Sequence, residues 1–224
     1  MIKINYNTIE STIYKELLYN SILQGKPKTI IDGDYFNHFI AVFDNSISDE
    51  NCEIIINYYN NSMNTYPGVT AGGLNKCIKD TTDLKVEKNT IVDKILYNSL
   101  NQYLKKYSQE CSTYLKSNGI PEDIILKNLT DTGYQIQKYK KNEGKYIWHH
   151  DFSLEPNKYR HLTFLWYLND NDNGFTELID IAIRPKKGRL LLFPSSDIHL
   201  HRGCYSLNSD KYICTGWLYV DQSH

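Results

Sequence analysis

No stretch of this sequence approaches the roughly eighteen consecutive apolar residues that a membrane-crossing helix requires, which excludes a helical membrane partner role. Charge of one sign is also missing. The 25 basic and 26 acidic residues leave a formal net charge of -1, so no broad positive field exists to gather nucleic acid or an anionic lipid surface. Cysteine is sparse: Cys52, Cys77, Cys111, Cys204 and Cys214 are odd in number, scattered, and include no CxxC pair of the zinc-binding kind. They read as reduced thiols. The N-terminal MIKINYNTIESTIYKELL lacks the continuous apolar core and small-residue cleavage site of a secretory signal. A cytoplasmic protein without membrane or nucleic-acid partners is therefore expected. The sequence carries no indication of oligomeric state.

What is present is enough for one core. The chain has 224 residues, 41% of them hydrophobic, with 19 Tyr and 7 Phe, so it should fold as one main domain. Ile9, Ile13, Leu17, Leu18 and Ile22 recur at helical spacing over residues 8–24, and Gly25 and Pro27 supply a stop. FIAVF at 39–43 reads as a strand, followed by Ser48 as N-cap of a helix through Cys52, Ile55, Ile56 and Tyr59. Ile91, Ile95, Leu96, Leu100, Tyr103 and Leu104 mark another helix, extending toward Tyr114 before Gly119 and Pro121. Between these helices, residues 64–89 show little periodicity and are expected to form a long functional surface loop.

Beyond residue 130 the period becomes that of strands: YQIQKY, KYIWHHDF, HLTFLWYL, ELIDIAI, RLLLFP and KYICTGWLYV, separated by the turn signals NEG, NDNDNG, PKKG and NSD. The expected fold class is α+β, mainly β, with a jelly-roll core supported by helices from the first half.

Within WHHDF, His149 and Asp151 lie two apart on a strand and so share a face. A second histidine from a distant strand would complete two imidazoles and one carboxylate on one side of a metal, leaving positions open for a co-substrate and dioxygen. DIHLHRG offers both His199 and His201 for that place. His150 should point the opposite way, and His38 and His161 read as structural; His224 is terminal.

From Tyr139 to Trp217 the chain resembles the catalytic core of the prolyl 4-hydroxylase family of 2-oxoglutarate oxygenases. The matching elements are Tyr139, His149-x-Asp151, Tyr167-Leu168-Asn169, Gly174-Phe175-Thr176, Pro185-Lys186-Lys187-Gly188, His201-Arg202-Gly203 and Lys211. Phe175 departs from the family's usual small residue. FIAVFDNSISDENCEIIINYY looks like the family's entry strand and helix, and TGYQIQKYKKNEGKYIWHHDF looks like compact members encoded by phages and large DNA viruses. The resemblance implies a double-stranded β-helix (jelly-roll) oxygenase domain over 38–222, preceded by an N-terminal helical extension over 1–37. It implies iron(II) held by His149, Asp151 and His201, the ten-residue spacing to Lys211 selecting His201 over His199. Lys211 would neutralise 2-oxoglutarate, with Tyr139, Thr176 and Tyr167 as further contacts to it. Trp217 and Arg202 would border the substrate pocket. Dioxygen would be the second co-substrate, ascorbate an accessory reductant, and a peptidyl proline in a polypeptide the target. Another side chain, a free amino acid or a nucleobase stands as the alternative substrate, and a non-catalytic jelly-roll binding module as the alternative class.

Overall fold

The structure is a computed structural model that describes residues 28–121 and 129–221. The helix expected over 8–24 lies outside those residues, as does His224. The described chain runs β1 (Thr29–Ile31), β2 (Tyr35–Asn37), β3 (Ile40–Phe43), α1 (Asp49–Asn60), β4 (Tyr66–Pro67), β5 (Lys79–Asp80), β6 (Thr82–Lys85) and α2 (Ile91–Ser117). There follow β7 (Leu129–Asp131), β8 (Gln135–Tyr139), β9 (Lys145–His149), β10 (Leu154–Glu155), β11 (Lys158–Tyr167), β12 (Thr176–Leu178), β13 (Ile181–Ile183), β14 (Leu190–Pro194), β15 (His201–Gly203) and β16 (Lys211–Asp221). Two sheets face one another as a jelly roll. The smaller has the order β1-β13-β12-β15-β9-β5; the larger has the order β2-β3-β14-β11-β16-β8-β6-β4, with β10 beside β11 and β7 beside β16.

Residue parity along the central strands of the larger sheet decides what goes where. Leu162, Phe164 and Trp166 of β11, Leu190 and Leu192 of β14, and Cys214 and Leu218 of β16 face outward against both helices. Leu165 and Tyr167, Leu191 and Phe193, and Ile213 face inward to the space between the sheets. Both faces are therefore buried, and for that reason HLTFLWYL reads as a continuous apolar run rather than an alternating one.

The helices cover the outer face with an apolar stripe. Ser48 caps α1 by accepting from the Asn51 N–H, with Asp49 and Glu50 favourably placed in its first turn. Thr90 caps α2 in the same way through Asp93. Val92, Leu96, Leu100, Tyr103 and Tyr107 of α2 are buried in the core, so packing rather than helix propensity holds this helix. One turn fixes the approach to α1: Gly188 has φ +76°, and a Cβ there would lie 2.2 Å from the Ile47 carbonyl oxygen. Next to it, the fully buried Arg189 is neutralised by Asp44, its Nε donating to Oδ1 at 2.6 Å.

Three expectations need correction. Residues 64–89 are not a structureless loop, since they carry β4, β5 and β6; β5 joins the edge of the smaller sheet and β6 joins β8 in the larger. Their apolar pattern is faint because the strands are short and only Leu84 and Val86 enter the core, while a buried ion pair, Lys79 Nζ to Asp83 Oδ2 at 2.7 Å, anchors the rest. Residues 29–37 are also not helical. β1 pairs parallel with β13 and β2 antiparallel with β3, so this part of the expected N-terminal extension is built into both sheets. ELIDIAI, expected as one strand, divides into the β12–β13 hairpin. Among the described residues no helix is long and apolar enough to cross a membrane.

Candidate metal centre

His149 at the end of β9 and His201 at the start of β15 are direct cross-strand partners, and Asp151 follows two residues after His149. Their ligating atoms all lie within 4.8 Å of one another. The Asp151 carboxylate is 3.8 Å from His149 Nε2 through Oδ1 and 3.5 Å from His201 Nε2 through Oδ2. Each imidazole is oriented by its own chain: Nδ1 of His149 is 2.8 Å from the Ile147 carbonyl oxygen, and Nδ1 of His201 is 3.1 Å from that of His199. A carbonyl can only accept, so both Nδ1 atoms carry the proton and both Nε2 lone pairs are left for a metal. Tyr146 stacks on His149 at 3.5 Å between centroids, and Phe193 meets the His201 ring edge-on at 4.7 Å.

The electrostatics suit a cation. Burial, reinforced by neighbouring His201, pushes His149 down to about 3 and keeps it neutral. Burial also raises Asp151, but His201 and His149 outweigh it and hold the carboxyl below its ordinary range. Asp151 Oδ2 further accepts from Thr163 Oγ1 at 2.8 Å, and Thr163 Oγ1 lies 2.8 Å from Ser195 Oγ. Two imidazole Nε2 atoms and one carboxylate on one side of a cavity form the donor set that suits iron(II) with open positions.

That cavity continues inward to Lys211. The side chain is 1% exposed, and its Nζ reaches only backbone carbonyls, Gly174 at 2.9 Å and Cys204 at 3.4 Å, besides lying 4.0 Å from the Tyr139 ring centroid. No carboxylate among the described residues pairs with it, and burial pushes its pKa down to about 8. An unpaired buried ammonium is costly. A carboxylate-bearing ligand beside it removes the cost. Tyr139 and Thr176 line the same cavity, with Trp217 in its wall. Glycines keep the space open: a Cβ on Gly203 would come within 3.0 Å of Tyr139 Cε1, and one on Gly174 within 2.9 Å of Lys211 Cδ.

Residues 134–219 match the family model described as the 2OG-Fe(II) oxygenase superfamily. Over that span the chain is similar to that superfamily, and the His149, Asp151 and His201 cluster lies within it. A comparison with curated protein sequences finds no match. Among solved structures, the chain is similar to the viral collagen prolyl hydroxylase of Paramecium bursaria Chlorella virus-1 in its 2OG complex, with TM-score 0.60 and 17% identity, covering 82% of this chain and 97% of that one. A Pseudomonas putida prolyl-4-hydroxylase gives TM-score 0.54 and 14% identity over 81% and 92% of the two chains. A Trichoplax adhaerens prolyl hydroxylase in complex with a hypoxia-inducible-factor peptide fragment gives 0.60 and 16% over 94% and 95%. At these identities the likeness establishes the jelly-roll fold.

The fold brings together His149, Asp151, His201, Lys211, Tyr139, Thr176 and Trp217, all of which line one cavity. Three expected site residues stand apart. Tyr167 is fully buried outside the cavity wall, its hydroxyl close to Thr176. Arg202 follows His201 on β15 and so points to the other face, where it pairs with Glu177 at 2.8 Å. His199, the competing candidate ligand, bonds Ser196 Oγ at 2.7 Å and lines a separate cleft with Ile198 and Leu200. Gln137, Tyr146, Thr163, Leu165, Ile213 and Thr215 also line the cavity and escaped the sequence reading. Strand parity was the available signal: Gln137 is two before Tyr139, and Ile213 and Thr215 are two and four beyond Lys211.

Proposed function

We propose that this chain is an iron(II)- and 2-oxoglutarate-dependent dioxygenase that hydroxylates a prolyl residue of a polypeptide. The observation that carries the reading is the buried, carboxylate-free ammonium of Lys211 opening onto the same cavity as the His149, Asp151 and His201 cluster. With metal and co-substrates bound, the chemistry supplied is decarboxylation of 2-oxoglutarate to succinate and carbon dioxide, coupled to oxygen insertion into a substrate C–H bond.

The residues divide the remaining work. His149, Asp151 and His201 hold iron(II), and the Thr163 hydroxyl keeps Asp151 in one rotamer by its bond to Oδ2. Lys211 neutralises the far carboxylate of 2-oxoglutarate, while the hydroxyls of Tyr139 and Thr176 supply directional contacts to it. Leu165 and Ile213 present apolar walls that exclude water from the reacting face. Trp217 turns its buried indole N–H toward Asp151 and helps hold that carboxyl below its ordinary range, while its ring walls the cavity where substrate would sit. A peptidyl substrate accords with the prolyl hydroxylases whose fold this chain shares, one of them holding a peptide. The near-neutral charge balance accords poorly with a nucleic-acid substrate.

The test is anaerobic titration with iron(II) and then 2-oxoglutarate, followed by aerobic incubation with proline-containing peptides. Succinate release and a one-oxygen mass gain on a prolyl residue are expected. Turnover stimulated by a nucleoside or a free amino acid, and by no prolyl peptide, would remove the prolyl assignment while keeping the oxygenase.

A further inference from the structure

A series of side-chain hydrogen bonds runs along the inner face of β8, from the Lys211 end of the cavity to the strand-bearing segment between the two helices. The Tyr139 hydroxyl donates to Gln137 Oε1 at 3.3 Å. The Gln137 amide donates to Gln135 Oε1 at 2.8 Å, and the Gln135 amide donates to the Tyr66 hydroxyl at 2.8 Å. Residues 135, 137 and 139 can do this because alternate strand residues share a face. Tyr66 belongs to β4, which reaches β8 only through β6, and it does not line the cavity.

Both ends of the series are fixed. At the outer end, the Gly68 N–H donates to the Thr81 carbonyl at 2.8 Å, and Gly68 packs so closely on Thr81 that a Cβ would overlap its hydroxyl and crowd Asp83. Beneath it, Asp83 accepts from Lys79 and from the Thr81 hydroxyl, both at 2.7 Å and both buried. At the inner end, the Tyr139 hydroxyl has no other hydrogen-bond partner among the described residues, so Gln137 alone sets the direction of its O–H. Each amide in between has its oxygen and its nitrogen committed to successive members. Turning one therefore breaks the bonds on both sides, and the members act as a unit.

We propose that Tyr66, Gln135 and Gln137 are positioning residues for the co-substrate: they set the Tyr139 hydroxyl and couple the seating of the β4–β6 segment to the affinity for 2-oxoglutarate. The inference rests on the assignment of Tyr139 and Lys211 to 2-oxoglutarate made above. It adds that a residue outside the cavity governs a contact inside it. By linkage, a substrate that presses β4 into place tightens the co-substrate, and the co-substrate tightens that substrate by the same factor.

The experiment measures the dissociation constant of 2-oxoglutarate anaerobically on the iron(II)-loaded parent, Tyr66→Phe, Gln135→Leu, Tyr139→Phe and the double variant Tyr66→Phe/Tyr139→Phe. Tyr66→Phe removes one oxygen and no carbon, so it leaves packing intact. Both Tyr66→Phe and Gln135→Leu are expected to weaken 2-oxoglutarate by about threefold to tenfold, the worth of one hydrogen bond in a coupled series. Iron(II) affinity should not change. In the Tyr139→Phe background, Tyr66→Phe should have no further effect, a non-additivity that a merely structural role would not produce. Parent-like 2-oxoglutarate affinity in both single variants, or additive losses in the double variant, overturns the inference. Absence of 2-oxoglutarate binding by the parent chain instead refutes the functional reading, and the inference with it.

Discussion

Replacing Lys211 by methionine separates the charge of this side chain from its bulk. Methionine nearly matches the buried stem, so what is lost is the ammonium that reaches Gly174 and Cys204 and faces the cavity. A charge-assisted hydrogen bond to a carboxylate is worth about 1.5–3 kcal/mol, so 2-oxoglutarate should bind about ten- to a hundredfold more weakly. Iron(II) binding should be retained, because Lys211 is not among the clustered ligands. The melting temperature should change little, since removal of an unpaired buried cation offsets the loss of two carbonyl contacts. The parent should also show a pH signature. Burial pushes the ammonium down to about 8, so it is largely charged at neutral pH, and above that value binding must recapture a proton. Affinity should be flat below the pKa and fall by up to about tenfold per pH unit above it. For the ligand-free fold the sign is the opposite: the unfolded chain holds the proton up to the ordinary value of 10.5, so stability rises with pH between about 8 and 10.5. Anaerobic titration followed by the charge-transfer absorbance of the iron–2-oxoglutarate complex reads the first effect, and thermal melts across pH read the second. If Lys211→Met binds 2-oxoglutarate as tightly as the parent, with the same pH profile, the carboxylate anchor lies elsewhere.

His149→Ala, Asp151→Ala and His201→Ala should each abolish iron-dependent succinate release and weaken metal binding. His199→Ala should keep most of both, because only the backbone carbonyl of His199 supports His201; full activity in His201→Ala would reverse the ligand assignment. Gly203→Ala places a Cβ 3.2 Å from the Tyr139 hydroxyl, so calorimetric titration should show a raised 2-oxoglutarate constant with little change for iron(II). Lys79→Met leaves Asp83 buried with its charge uncompensated and should cost about 3–5 kcal/mol in denaturant melts. The double variant Lys79→Met/Asp83→Asn should recover part of that loss, and equal stability of the parent and Lys79→Met would show that the pair does not hold the segment.

Much of the site was legible because its signals are local or periodic. His149 and Asp151 share a face by their two-residue separation alone, and the ten-residue interval from His201 to Lys211 spans a turn into one strand. The two helices, the Ser48 cap and the central strands announce themselves through period and cap chemistry, whereas the Thr90 cap came only with the structure. His199 and His201 occupy the same parity, and the sequence separates them only through the family-like ten-residue interval to Lys211; the pairing of β15 with β9 sets His201 opposite His149 and leaves His199 in another cleft. Arg202 failed as a pocket residue for the same kind of reason, its side of β15 being fixed once His201 faces inward. Residues 64–89 escaped because strands of two to four residues, with Leu84 and Val86 as their core side chains and a buried Lys79–Asp83 pair beside them, are too short to show an apolar period. The sequence by itself therefore determined the donor types, their spacing and the strand parity. Which strand lies beside which is set by contacts between residues far apart in the chain, and only that pairing brought the triad, the Lys211 ammonium and the Tyr66 hydroxyl into one connected arrangement.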